Sequence, residues 1–263
     1  MVTSALGRRT PTSSRFPGRK LLVAALFGVL ALVMAQANPA AWINRIPDRY
    51  VPDAIQRHLP APEQAMLGNA FLYQQQRSLS CEYSAVTIAA TMGGWNISEW
   101  SFDAVVPRNE NPHLGYRGNI HGEWGNTTDY GLYPEPLHAA LSGWGIPSEV
   151  IYAHGNADVL RDELSAGNPV VVWLAMRGAV NSFDVQAADG STYQLTQYMH
   201  VMTAYGFDDS GVYLTDPGTA VWRHYGWDEF MGMWNVMDGM ALSVHPQESA
   251  HIPAEFVALR RVG

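Results

Sequence analysis

One cysteine stands in 263 residues. A single thiol excludes an internal disulfide and any cysteine-rich zinc site, so whatever forms here is held together by an apolar core. The means are present: 47% of the residues are hydrophobic, with nine Trp and 12 Tyr to fill the interior. After a targeting segment and a linker are set aside, about 200 residues remain, room for one domain.

The setting of that cysteine is the most informative stretch of the chain. It reads Gln75-Gln76-Arg77-Ser78-Leu79-Ser80-Cys81-Glu82-Tyr83-Ser84-Ala85. Ala85, Ile88, Ala89 and Met92 recur at i, i+3, i+4 and i+7, one face of a helix, and Gly93-Gly94 supplies its stop. Ser80 is positioned as N-cap, which puts Cys81 in the first turn. Unpaired backbone N–H groups and the helix dipole favour an anion there, so the thiol pKa is expected to fall and the thiolate fraction to rise. A small buried cysteine at a helix start is the plain alternative. Two features weigh against it: a glutamine six residues upstream, and a His/Asp pair downstream in strand context.

Charge divides the chain. Residues 1–37 carry Arg8, Arg9, Arg15, Arg19 and Lys20 and no acid; the remainder holds 11 basic residues against 24 acidic ones, a formal −13, with no lysine. Such a surface repels phosphate backbones and argues against nucleic acid as a partner. After the basic start, Leu21 to Ala35 is an apolar run of 15 residues, and Ala35-Gln36-Ala37 reads as a cleavage site. Residues 1–37 are therefore expected to be a signal peptide or an uncleaved N-terminal membrane anchor, with the domain exported in either case. Contact with a membrane is expected only through that segment. Residues 38–62 hold five prolines and little periodicity, a Pro-rich linker. The domain is placed at 63–263.

Along the domain, Asn96 to Pro136 is a long polar stretch that contains Asn111-Pro112-His113-Leu114-Gly115-Tyr116-Arg117-Gly118 and suits a loop walling a cleft. It also holds His113, His121, Glu123 and Asp129, but no ligand spacing supports a metal, and no cofactor is expected. Helices are predicted over Pro134 to Trp144, from an Asn156 cap to about Ala166 with Gly167 as the stop, and over Asp228 to Trp234. Val170 to Leu174 is a continuous apolar run of the kind buried strands show. Two strands flank Asp189-Gly190 as a hairpin. Met199 to Gly206 and Val212 to Thr215 form a further pair across residues 207–211.

That last pair places His200 opposite a residue between Asp216 and Thr219, where Cβ atoms on one face lie about 4.5–5.5 Å apart. Asp216 can then orient the imidazole. Nucleophile, base and orienter follow in the order Cys81, His200, Asp216.

These residues resemble a known family. Gln75-x5-Cys81, His200 at the head of a strand and Asp216-Pro217 look like the bacteriocin-processing (double-glycine) peptidases, papain-like cysteine peptidases, and most like their stand-alone branch without a transporter. Leu79-Ser80-Cys81-Glu82-Tyr83, Asn111-Pro112-His113-Leu114-Gly115 and Ala166-Gly167-Asn168-Pro169-Val170-Val171 are similar to that branch, over roughly 62–240. The transporter-linked members carry Asp-Cys-Gly where this chain has Ser80-Cys81-Glu82. The resemblance implies a papain-like α+β fold, in which a helix carrying the cysteine packs on an antiparallel sheet carrying His and Asp. It also implies Cys81 as nucleophile, His200 as base, Asp216 as orienter and Gln75 in the oxyanion hole, acting on a peptide or protein substrate. Two other readings stay open: a catalytically silent papain-like binding module for peptide or cell-wall material, and a thiol acyl or peptidyl transferase.

Overall fold

β3 (Val170–Ala175) is buried at every position, and the sheet is built outward from it in the computed structural model, which describes residues 62–187 and 190–247. The expected targeting segment and the expected linker up to residue 61 lie outside the described residues, as does Asp189 of the expected hairpin turn. An apolar run without alternation has no face to give to water, so it takes the centre. The seven-stranded sheet runs β2 (Ser148–Tyr152), β9 (Met240–Val244), β3, β6 (Met199–Phe207), β7 (Gly211–Asp216) and β8 (Val221–Gly226), with β1 (Ala65–Met66) pairing the far end of β6. Every pairing in it is antiparallel. β4 (Ser182–Gln186) and β5 (Thr192–Thr196) form the separate hairpin expected around residues 189–190.

Side chains of β3 alternate between two cores. Val171 and Trp173 join the one shared with α1 (Cys81–Met92) and α2 (Pro134–Gly143). Val170, Val172 and Leu174 join the one shared with α3 (Asp158–Ser165) and α4 (Trp227–Trp234). The result is the papain-like α+β arrangement, with the cysteine helix docked on the sheet. Thr203 of β6 fixes the docking: its hydroxyl donates to Ala85 O at 2.8 Å.

The structure corrects three local expectations. α1 is not one-sided: from Cys81 to Met92 only Thr91 is exposed. The sheet covers one flank, and a 3-10 helix (Glu99–Ala104) and the segment after it cover the other. Ser80 holds the N-cap position but makes no side-chain cap. Its hydroxyl donates instead to Arg77 O at 3.1 Å and lies 3.3 Å from Glu99 Oε1. Asn156 does accept a first-turn amide, from Asp158 at 3.0 Å, but α3 starts one residue later than a cap at 156 implies. Strands β1, β2, β8 and β9 have no counterpart in the sequence reading.

Candidate active site

β7 accompanies β6 only from the Thr203–Thr215 pair onward, so the start of β6 is open on that side. The approach to α1 fills the opening. The Gln75 backbone N–H donates to Pro217 O at 2.9 Å, and Gln74 Nε2 reaches Gly218 O at 3.4 Å. Carried three residues back, the register sets Gly218 opposite His200. The fit is tight: a Cβ on Gly218 would lie 3.0 Å from His200 Cε1.

Asp216, at the end of β7, turns its carboxylate toward that histidine. His200 Nε2 is 2.7 Å from Asp216 Oδ1. The same oxygen accepts Gly218 N–H at 2.8 Å; Oδ2 accepts the Thr219 hydroxyl at 2.8 Å and Arg223 Nε and Nη2 at 3.1 and 3.0 Å. Burial alone would raise the Asp216 pKa, but the hydrogen bond and charge of His200, with the bonds from Thr219 and Arg223, outweigh it and hold the carboxyl well below the usual range. With Nε2 committed, Nδ1 is the ring nitrogen left for another partner.

Cys81 arrives from the other side. Its Sγ lies beside the backbone N–H of Val201, the amide joining that residue to His200. The structure thus pairs His200 with Asp216 and sets Cys81 beside the amide that follows His200, 119 positions further along the chain. The expected fall in the thiol pKa does not occur. Burial and the neighbouring Glu82 carboxylate push it well up, and the Val201 amide does not compensate. The dipole argument fails because the thiol is buried and because an acid sits one residue into the helix, its Oε2 accepting the Cys81 S–H at 3.4 Å.

Gln75 is next to this centre, but its amide is occupied. Nε2 donates to Arg77 O and to Ser78 O, both at 2.8 Å, and Oε1 is buried without a partner. Exchanging the amide's O and N would point oxygen at two carbonyls, so the hydrogen bonds fix its orientation. Donation to an oxyanion therefore requires Gln75 to give up one of these two bonds. Gln76 donates its side chain to Gln74 O at 2.7 Å.

Three features of the site escaped the sequence reading. Glu99 is fully buried and is a hub for the cysteine loop: its carboxylate takes the Gln76 N–H, Arg77 Nε and the hydroxyls of Ser80 and Ser84. Trp124 lies beside His200, its ring T-shaped to the imidazole at 6.5 Å, its Nε1 donating to Met199 O at 2.8 Å and its other neighbour the Tyr198 ring at 5.2 Å. Glu82 is fully buried beside the thiol. Trp124 could have been suspected from its place in the long polar stretch; nothing local marks Glu99. Among the described residues, no three His, Cys, Asp or Glu side chains converge as a cation site requires. His113 instead lies 3.0 Å from both Glu135 oxygens, and Asp129 accepts Asn119 N–H at 2.8 Å.

The sequence profile of the Peptidase_C39 like family matches residues 67–242, which span all of these side chains. The chain belongs to the C39-like peptidase family. No curated protein sequence matches this C39-like chain significantly. Among solved structures, a C39-like peptidase from Bacillus anthracis superposes with a TM-score of 0.59 at 21% identity, covering 71% of this chain and 99% of its own. The peptidase domain of Streptococcus ComA, a bifunctional ABC transporter, gives 0.42 at 14% identity over 68% of this chain and 100% of its own. Xylellain, a cysteine protease from Xylella fastidiosa, gives 0.40 at 10% identity, covering 74% of this chain and 90% of its own.

Proposed function

We propose that this C39-like protein is a cysteine peptidase that works outside the cytoplasm. One observation carries the reading: the His200–Asp216 hydrogen bond of 2.7 Å, with the thiol of Cys81 against the amide that follows His200. In this reading His200 takes the Cys81 proton, and the sulfur attacks the substrate carbonyl carbon. The resulting oxyanion lies near the unpaired N–H groups of the first turn of α1. His200 then returns the proton to the leaving amine as the C–N bond breaks, leaving an acyl-cysteine. Water, deprotonated by the same imidazole, hydrolyses it. Asp216 fixes the ring orientation and stabilises the imidazolium.

A screen of the purified protein on a peptide library, beside Cys81→Ala, tests this. New termini must appear with the parent protein and not with the variant. The buried thiol with its raised pKa favours a second reading, a silent cleft that binds peptide. Stoichiometric alkylation of Cys81 by a small electrophile at mildly acidic pH separates the two, since a thiol held protonated reacts slowly. Product analysis with added amines distinguishes hydrolysis from acyl transfer.

Gln75 has its own test. If it reaches the oxyanion, Gln75→Ala should lower kcat by about 100- to 1000-fold and leave alkylation of Cys81 unchanged. Equal loss of both would make it a brace of the 75–78 turn, which is the role its present bonds serve. Gln74→Ala and Gln76→Ala should stay within a few-fold of the parent in kcat.

The extracytoplasmic part rests on the basic flank and the apolar run of residues 21–35. Protease added to intact cells should digest the domain; full protection would place it inside.

A further inference from the structure

Glu82 is the buried ionisable group that the mechanism above leaves unused. It follows the nucleophile directly and is wholly inaccessible to solvent. Its two oxygens do different things. Oε1 accepts the Leu132 N–H at 3.1 Å, tying α1 to the segment that walls it. Oε2 lies 3.4 Å from Cys81 Sγ. Room for this carboxyl is built in: Gly131 has φ +120°, and a Cβ there would overlap Oε1. The residue it grips is held on its carbonyl side as well, Trp173 Nε1 donating to Leu132 O at 2.8 Å.

No cation answers this charge. Among the described residues Glu82 makes no salt bridge; the ion pairs involve other groups. The ionisable groups around it are Cys81 on its own helix and the phenols of Tyr83, Tyr116 and Tyr130. Burial, and then the Glu82 charge, raise the pKa of Tyr83 and Tyr116, and burial raises that of Tyr130, so all three stay neutral at physiological pH. A buried carboxylate with no counter-ion is costly, and uptake of a proton is the ordinary relief. Burial pushes the Glu82 pKa up to about 7.

We propose that Glu82 is a further catalytic residue that decides whether Cys81 can act. Its protonated carboxyl donates an O–H to the sulfur and stabilises the thiolate. Its ionised form accepts the S–H and holds the cysteine as a thiol. The proton balance is simple. In the competent state the Cys81 proton sits on the His200 imidazole, and Glu82 keeps its own while hydrogen-bonding to sulfur. Loss of the Glu82 proton to solvent sets two negative charges side by side, and the imidazole returns its proton to sulfur. The nucleophile is thus ready in mildly acidic surroundings and restrained above neutrality. This rests on Cys81 being the nucleophile.

The test is the rate of Cys81 alkylation by iodoacetamide from pH 5 to 9, for the parent protein and Glu82→Gln. Glutamine keeps an acceptor for Leu132 N–H and offers a permanent donor to sulfur. The parent rate should fall as pH rises through neutrality. The variant should not fall, and at pH 8 it should react roughly ten- to a thousand-fold faster than the parent, the effect of removing one like charge at contact distance. Superimposable profiles, or a variant slower at every pH, overturn the proposal. A second measurement needs no variant: infrared spectra of the parent protein should show a buried carboxylic-acid C=O band that disappears through neutral pH and shifts when Cys81 is alkylated. Absence of such a band also overturns it. Neither measurement uses a substrate. A protein that labels as described but cleaves no peptide therefore counts against the peptidase reading and leaves this one standing.

Discussion

Cys81→Ala and His200→Ala should each lower kcat by roughly 10⁴- to 10⁶-fold, and the double variant should be no worse than either. The reason is geometric. The sulfur lies beside the peptide linking His200 to Val201, and Asp216 holds the ring by Nε2. Neither can supply the other's part, so once one is gone the second has nothing to assist. Additive losses would mean that the two act in separate steps or on separate ligands. A His200→Ala protein with full activity would remove His200 from the mechanism. Folding should be little affected in Cys81→Ala, because removing one sulfur at the first turn leaves the Thr203–Ala85 contact and the Glu82–Leu132 bond in place.

The second large effect falls on stability. Asp216→Ala should destabilise the domain by about 3 kcal/mol, the low end for breaking a buried ion pair, because Arg223 is 40% exposed and regains water. For a domain of this size that is a fall in Tm of roughly 6–12 °C. Asparagine is the instructive control. It keeps the Oδ1 acceptor for His200 and Gly218, so turnover should suffer less than in the alanine variant. But its amide NH2 would replace Oδ2, which faces only donors, Thr219 and Arg223. Asp216→Asn should therefore recover activity more than stability. The pH dependence has a definite sign. The folded pKa of Asp216 is depressed below the unfolded value of about 3.9, so its contribution is complete above about pH 4 and is lost as pH falls below it. Thermal melts between pH 2 and 6 should show the parent losing part of its margin over Asp216→Ala on acidification. A margin independent of pH would show that the carboxylate is not held in this way.

How much of this could be read in advance depends on the range of the interaction. The cysteine helix was legible because its period and stop are local, and β3 because an unbroken apolar run has one place to go. The His200–Asp216 pairing was legible because a short turn fixes the register of β6 and β7. What failed was set by partners far off in sequence. Ser80 looks like a cap, but Glu99 and Arg77 claim its hydroxyl. Cys81 looks activated by its helix, but burial and Glu82 reverse the sign. β9 is as buried as β3, yet only its pairing with β2 and β3 distinguishes it from any short apolar run. β8 alternates poorly because its edge position leaves Val221 and Trp222 open to solvent.

The opening at the start of β6 has a consequence for the life of the chain. The nucleophile is made early and its partners late: Gln75 is sewn to Pro217, and the segment from Thr215 to Val221 must turn back before Asp216 can reach His200. An emerging polypeptide thus carries its sulfur for well over a hundred residues before any base exists to use it. In the proposed mechanism, closing the turn after β7 and arming the thiol are one event. A half-made or locally melted molecule is disarmed, which spares its neighbours during the slow assembly that long-range strand pairing imposes.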